Sequence, residues 1–132
     1  MKIGEVAREC GVSVDTIRHY EAKGVIGAAP RDGSGYRHYA DDVIERVRLI
    51  RRALKLGFTL DELCRIFRRR AEGKPPCREV RALAGRKLHD VDARIAELIA
   101  LRDSLASTIE TWDQRLSVTA EDEAAHLLED LR

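Results

Sequence analysis

Apolar residues recur every three to four positions over most of the chain, and glycine, proline and helix-capping residues divide this pattern into segments. Such spacing is typical of helices that bury one face. In the first half of the chain the pattern predicts four short helices, at about residues 3–10, 14–23, 42–56 and 60–70.

The second predicted helix has clear limits at both ends. Ser13 is a good N-cap, and Gly24 follows the last turn, where a glycine commonly ends a helix. Val14 and Ile17 give this helix one narrow apolar face, and its other side chains can form hydrogen bonds. With the helix before it and the turn at residues 11–13, the segment predicts a helix-turn-helix, a unit that reads DNA.

Residues 27–40 interrupt the helical pattern. A Gly-Ser-Gly turn at residues 33–35 precedes a β-prone run at residues 36–39, which predicts a small hairpin, or wing. Arg31 and Arg37 lie on either side of its turn. A wing beside a helix-turn-helix usually touches the sugar-phosphate backbone or the minor groove.

The next two helices are marked by their caps. Asp41 or Asp42 is predicted to cap the helix that runs to about Leu56. Thr59, with Glu62 three residues later, predicts a capping box at the start of the following helix.

After a linker at residues 72–76, the pattern predicts one uninterrupted helix from Cys77 to about Leu116. At 1.5 Å per residue it would span roughly 55–60 Å. Its apolar positions alternate spacings of three and four, which is a heptad seam, and a single helix cannot bury such a stripe alone. We therefore expect dimerisation through a coiled coil. The seam comprises Leu88, Val91, Ile95, Leu98, Arg102, Leu105, Ile109, Trp112 and Leu116.

The charge of the chain changes sign at the linker, although the net charge is only +1. Residues 1–70 carry 15 Lys and Arg against 10 Asp and Glu, whereas residues 71–132 carry 9 against 13. A basic front and an acidic back fit a nucleic-acid-binding head on a non-binding arm. We therefore predict a DNA-binding domain at residues 1–71. Residues 72–132 then hold the linker, the dimerisation helix and a short amphipathic helix at about Glu121–Leu131.

The three cysteines, Cys10, Cys64 and Cys77, lack the spacing of a disulfide framework, which favours a reducing cytoplasm. We expect no signal segment and no membrane span, because no apolar run approaches the ~18–20 residues that a span needs. We also expect no enzyme, since the sequence offers no nucleophile-base arrangement, phosphate-binding loop or paired-carboxylate cleft.

Four motifs, in their order along the chain, resemble the MerR family of transcriptional regulators. They cover about the first half of the chain. The second half resembles the short, metal-responsive branch of that family, in Pro76-Cys77, Lys87-Leu88 and Ala93-Arg94-Ile95-Ala96-Glu97-Leu98. The four motifs are Ile3-Gly4-Glu5-Val6-Ala7, Thr16-Ile17-Arg18-His19-Tyr20-Glu21, Gly35-Tyr36-Arg37-His38-Tyr39 and Leu56-Gly57-Phe58-Thr59-Leu60-Asp61-Glu62.

The resemblance implies a mainly α, winged helix-turn-helix homodimer that is joined by a long antiparallel coiled coil. Such a dimer binds a pseudo-palindromic operator in double-stranded promoter DNA. In the family, effector binding makes the dimer bend and untwist the DNA, which realigns the promoter elements for RNA polymerase. By analogy, Thr16, Arg18, His19 and Tyr20 enter the major groove, while Arg31, Tyr36 and Arg37 hold the backbone from the wing.

The chemistry of some of these residues leaves alternatives open. Arg18 can pair with a guanine edge or with a phosphate. Tyr20 is expected to present its hydroxyl to a phosphate rather than pack inside, and His19 either contacts DNA or supports the turn. Tyr39 we assign to the core of the wing.

Cys77 is the candidate effector residue, because it follows two prolines at a helix N-terminus, where the helix dipole favours a thiolate. In the metal-sensing relatives this position supplies a ligand, and further cysteines come from a loop after the partner's long helix. Residues 112–122 contain no cysteine here, so an all-thiolate site for mercury or copper is not expected. A mixed site suits zinc, cobalt or nickel better. Its candidate donors beside Cys77 are His89, or Asp113, Glu123 or His126 of the partner subunit.

The cofactor therefore stays open, with a divalent metal ion as the candidate. Cys77 can instead serve as a redox or electrophile sensor without metal, or be inert beside an organic effector. Two further alternatives are a DNA-bending protein that needs no effector, and a dimerisation protein for which the basic head is incidental.

Overall fold

The computed structural model describes residues 1–131 and confirms the mainly α fold. Within that range, β pairing is limited to one isolated antiparallel bridge between Arg31 and Arg37, so the wing is a loop and not a two-stranded hairpin. The chain divides into two compact units, Met1–Gly85 and Arg86–Arg132. The helices are α1 (Ile3–Cys10), α2 (Val14–Lys23), α3 (Asp42–Lys55), α4 (Leu60–Ala71) and α5 (Cys77–Ser117).

The turn between α1 and α2 has the geometry that the sequence predicts. Gly11 ends α1 in the left-handed conformation, with φ 67°, and Gly24 does the same for α2, with φ 81°. Ser13 begins α2 as its N-cap, because its side chain accepts a hydrogen bond from the backbone N–H of Thr16. Glycine is favoured at both helix ends since a side chain is strained in that conformation.

The first unit is built on one apolar core to which α1–α4 all contribute. Its fully buried side chains are Val6, Ile17, Val25, Val47 and Ile50. α1 packs against α2 and α3, and α4 packs against α2 and α3. These contacts place the helix-turn-helix, which α1 and α2 form, on one core with α3 and α4.

The start of α5 also belongs to the first unit. Val80 and Leu83 pack against the core of that unit, which therefore extends past the linker to Gly85. The change of charge at the linker gives no signal of this packing.

The caps of α3 and α4 differ from each other. Thr59 Oγ1 accepts a hydrogen bond from the N–H of Glu62, and Glu62 Oε1 accepts one from the N–H of Thr59 at 2.8 Å, so the predicted capping box is confirmed. Asp41, one of the two residues predicted to cap α3, is at its N-cap position, but the predicted side-chain cap does not form. Asp42 is already the first helical residue, and Asp41 forms no side-chain cap bond. Asp41 has helical backbone angles (φ −61°, ψ −28°), whereas a capping side chain needs an extended backbone.

α5 has the predicted extent, but its apolar stripe is uncovered. Within α5, all of which the structure describes, no residue is buried. Leu88 is 63% exposed and Leu98 is 64% exposed. No helix in residues 1–131 has both the length and the apolar character needed to cross a membrane.

The amphipathic helix predicted at about residues 121–131 is wrong. The structure has only a 3-10 turn there, at Leu128–Asp130. Arg115 explains the difference, because its guanidinium pairs with Asp130 at 2.7 Å and donates to the carbonyls of Ala125 and His126. Those carbonyls would accept backbone N–H groups in a continuous helix.

The two cap residues provide a matched test of local stability. We expect Thr59→Ala to lower the free energy of unfolding by about 1 kcal/mol, because the first turn of α4 loses its side-chain acceptor. Asp41→Ala should change it by less than about 0.5 kcal/mol, since only a weak helix-dipole interaction is lost. Urea denaturation followed by circular dichroism measures both. Equal losses in the two variants would contradict the assignment of the caps.

Candidate nucleic-acid interface

The outer side of α2 presents Arg18 and His19 to solvent. The side chain of Arg18 is 66% exposed, and its ion pair with Asp15, at 3.5 Å, is also largely exposed. Such a pair contributes little and is readily exchanged for another anion. Thr16 is half-buried, and its Oγ1 lies 2.9 Å from Ser13 Oγ, so its hydroxyl takes part in the start of the helix.

Tyr20 lies in the core and does not point outward as predicted. It is 5% exposed, and burial raises the pKa of its hydroxyl. The reason is helical spacing, since Tyr20 comes three residues after the fully buried Ile17 and shares its face. The sequence predicts Tyr20 off that face, because the helix is short and its apolar stripe is narrow.

The wing is shaped by Asp32, a residue that the sequence analysis did not select. Its Oδ1 accepts the backbone N–H groups of Ser34 at 2.8 Å and Tyr36 at 3.0 Å, and its Oδ2 lies 2.6 Å from His38 Nε2. These hydrogen bonds, the one with His38 first, lower the pKa of Asp32. An aspartate two residues before a Ser-Gly pair is a turn signal that could have identified it.

Glu21 joins the wing to α2, and the sequence analysis missed this role as well. Its Oε1 accepts the N–H of Ala29 at 2.9 Å and Arg37 Nη1 at 3.0 Å, and its Oε2 accepts the hydroxyl of Tyr39 at 3.0 Å. The carboxylate is only 11% exposed. Tyr39 is 4% exposed, as predicted for the core of the wing. Burial is the largest cause that raises the pKa of its hydroxyl, and the hydrogen bond to Glu21 is the second.

The wing arginines are oriented by the loop itself. Arg31 Nη1 donates to the carbonyl of Gly35 at 3.0 Å, which brings the two sides of the loop together. Arg37 Nη1 is shared between Glu21 and the carbonyl of Ala29, and the Arg37 side chain remains 35% exposed. Tyr36 is 59% exposed, with the ammonium of Lys2 4.5 Å from the centre of its ring.

α2 and the wing together line one open depression of about 230 Å³. Three guanidinium groups meet there beside one exposed tyrosine, and the single carboxylate among them already accepts three hydrogen bonds. Arginine forks suit phosphate oxygens in geometry and in charge. The depression is lined by Ile3, Arg18, Glu21, Arg31, Gly35, Tyr36 and Arg37.

The structure thus brings four of the seven predicted DNA contacts into one place: Arg18, Arg31, Tyr36 and Arg37. Thr16 and His19 are on α2 outside the depression, and Tyr20 is in the core. The concave basic surface can accept a backbone phosphate, while the outer side of α2 remains available to base edges.

In the part of the chain that the structure describes, none of the three cysteines belongs to a group of side chains that could hold a metal ion. Cys77 is exposed at the start of α5, Cys10 is buried and Cys64 is half-buried. In residues 1–131 no group of three or more His, Cys, Asp and Glu side chains could hold a metal ion. His89 follows Cys77 by twelve residues on the same helix, about 18 Å away, so the two cannot share an ion within one chain. His126 is exposed, with φ 49°.

Comparison with known proteins agrees with this geometry. A model of MerR HTH family regulatory proteins matches residues 1–70, and a model of the MerR DNA-binding segment matches residues 44–108. An uncharacterised HTH-type transcriptional regulator of Pseudomonas aeruginosa is 36% identical over 110 residues, which are 83% of each chain. The mercuric resistance operon regulatory protein of Bacillus cereus is 35% identical over 97 residues, which are 74% of each chain.

The fold as a whole is similar to that of a transcription regulator from Ralstonia metallidurans, solved in complex with lead(II). That comparison gives a TM-score of 0.77 at 27% identity and covers 98% of each chain. The basic depression, the helix-turn-helix and these matches lead to one conclusion: the chain belongs to the MerR family, and it is a DNA-binding transcriptional regulator rather than an enzyme.

Proposed function

We propose that the protein binds a pseudo-palindromic promoter operator as a homodimer and activates transcription by distorting that operator when Cys77 senses its effector. The observation that carries the proposal is the depression in which Arg18 of α2 meets Arg31 and Arg37 of the wing. A groove-reading helix and a phosphate-binding loop then act on neighbouring parts of the same DNA duplex.

The proposed DNA contacts fall into two groups, one on α2 and one on the wing. Thr16, Arg18 and His19 on α2 enter the major groove, whereas Arg31, Tyr36 and Arg37 hold the backbone from the wing. The depression supports phosphate contact for Arg18 as well, since its guanidinium lines the same surface as the wing arginines. We leave Tyr20 out of this set because its side chain is buried.

A homodimer is supported by the uncovered apolar stripe of α5. Leu88, Leu98 and Leu105 are each more than half exposed on a helix that has no buried residue. Such a stripe is stabilised when a second helix covers it. Two heads then read two half-sites, and the distorted operator is presented to RNA polymerase in the cytoplasm.

The effector acts at Cys77 in this proposal, either as a thiol-reactive signal or as a divalent metal ion. The exposed position of Cys77 supports both, and the relatives named for mercuric resistance and solved with lead(II) support the metal. Within residues 1–131 of a single chain, no group of three or more His, Cys, Asp and Glu side chains could hold a metal ion. A metal site therefore needs donors from the partner subunit, with His126 a candidate among them, and thiol chemistry needs only Cys77 itself.

The DNA contact is tested by Arg18→Ala. We expect a loss of specific binding of ~1–3 kcal/mol, together with a weaker dependence of affinity on salt, because a contact to DNA is removed. The measurement is a fluorescence titration on an operator selected from random-sequence DNA, at several salt concentrations. Arg65→Ala, which removes an exposed arginine of α4, is the matched control and should leave affinity unchanged. Unchanged binding by Arg18→Ala would contradict the interface.

Glu21→Ala tests whether the wing is positioned by the carboxylate. We expect the free energy of unfolding to fall by about 2 kcal/mol, because a half-buried acceptor of several hydrogen bonds is lost. Operator affinity should fall as well, since Arg37 loses its orientation. Glu45→Ala removes only an exposed pair with Arg48 and should cost less than about 0.5 kcal/mol. Wild-type operator affinity in folded Glu21→Ala protein would refute the positioning role.

Cys77→Ser tests the effector. We expect induction to be lost while operator binding is kept, because the thiol is absent and the head is intact. A promoter-reporter assay with a panel of metal ions and oxidants measures induction, and Cys64→Ser is the control that should respond normally. Metal content of the reduced dimer separates the two signals, since only a metal sensor retains a stoichiometric ion that Cys77→Ser loses. Full induction of Cys77→Ser would overturn the role of Cys77, since the effector would then act elsewhere on the protein.

A further inference from the structure

The seam of α5 continues towards the N-terminus of the helix and contains two arginines. It extends from Leu88 through Ala84 and Arg81 to Cys77 with the same alternation of three and four. Arg81 and Arg102 both fall at the first core position of the heptad, position a, which an apolar residue usually occupies. A charged residue in a helix interface is costly unless a partner pairs with it.

We propose that a second copy of the chain lies antiparallel on α5, in the register that sets Ile95 opposite Leu98 of the partner subunit. In this register Arg102 pairs with Asp92 of the partner subunit. The inference rests on the homodimer proposed above and deepens it, because it names the register and the side chains that select it.

The seam is self-complementary in this register. Each seam position of one helix meets a seam position of the other. Leu88 lies opposite Leu105 of the partner subunit, and Ile109 lies opposite Ala84 of the partner subunit. Cys77 meets Leu116 of the partner subunit, so the full length of α5 is covered. A shift by one heptad, about 10 Å, would leave the last heptad of each seam exposed.

The charges agree with the same register. In an antiparallel pair, a residue at position a faces position d of the other helix and lies beside the residue that follows it, position e. Arg102 faces Val91 of the partner subunit, and the next residue is Asp92. Arg81 faces Trp112 of the partner subunit, and the next residue is Asp113. Both arginines thus meet an aspartate.

The apolar residues at position a have no acid beside them. Ile95 meets Ile99 of the partner subunit, Leu88 meets Ala106 of the partner subunit, and Ile109 meets Gly85 of the partner subunit. The two acids at position e, Asp92 and Asp113, therefore both occur beside the arginines, and the position e residue beside Leu116 is Arg78 of the partner subunit.

The neighbouring registers, and a parallel pair of helices, give Arg102 no acidic partner across the interface. After a shift of one heptad in either direction, Arg102 would face Leu98 and Ile99, or Ala84 and Gly85, of the partner subunit. In a parallel pair it would face Arg102 of the partner subunit. In the single chain, the Arg102 side chain is 75% exposed and forms an ion pair with its neighbour Asp103 at 3.2 Å. Asp103 is at an outward heptad position, so Arg102 can leave it for an acid across the interface.

Two charge reversals test the register. We expect Arg102→Asp and Asp92→Arg each to weaken the homodimer by about tenfold or more, because each places like charges together twice per dimer. A mixture of the two variants should form a heterodimer of nearly wild-type affinity, since both pairs then have opposite charges. Analytical ultracentrifugation at low salt, with one variant carrying a fluorescent label, measures all three species. Asp103→Arg is the matched control and should not complement Arg102→Asp.

The outcomes separate this register from the homodimer itself. A monomeric wild type would overturn the homodimer of the proposed function and the register with it. A dimeric wild type whose reversed variants are unweakened, or fail to complement each other, would overturn the register alone. Should Arg102→Asp lose helix content by circular dichroism, Arg102→Leu replaces it. Asp92→Arg should then weaken the dimer in the wild-type background but not in the Arg102→Leu background, and equal weakening in both would refute the pair.

Discussion

The DNA-binding head depends on one half-buried carboxylate. Glu21 lies near the end of α2, and its two oxygens accept hydrogen bonds from the backbone of Ala29, the guanidinium of Arg37 and the hydroxyl of Tyr39. These bonds fix a loop of little regular structure against a helix. A carboxylate that is 11% exposed is tolerated because its acceptors are satisfied. The bond to Arg37 also sets this wing arginine in the depression that Arg18 lines, so one carboxylate stabilises the loop and positions a candidate DNA contact.

The two compact units differ in whether a single chain buries their apolar side chains. Met1–Gly85 has a buried core to which α1–α4 contribute, and Val80 and Leu83 of α5 pack against that core. Arg86–Arg132 has none of its α5 residues buried, and its apolar seam faces solvent. This difference, between a unit with a buried core and a helix with an exposed apolar stripe, supports the proposal that the first recognises DNA and the second associates with another copy.

The candidate effector residue, Cys77, lies close along the chain to residues that pack on the core of the first unit. Cys77 opens the helix that carries the association surface, and Val80 and Leu83, a few residues later, pack on the DNA-binding core. In the proposed function, a chemical change at Cys77 would occur three residues before Val80, which packs on that core. Deformation of an operator needs only a small change in how two heads are held.

Local patterns in the sequence were sufficient for the helices and several of their ends. The limits of α2, the capping box of α4 and the extent of α5 follow from contacts within a few residues, which is why Ser13, Gly24 and Thr59 were assigned correctly. The tertiary structure decided the rest. The three bonds of Glu21 and the tail held by Arg115 join residues whose separation carries no periodic signal. Periodicity reports which face of an element is apolar, but only packing determines which polar side chains meet.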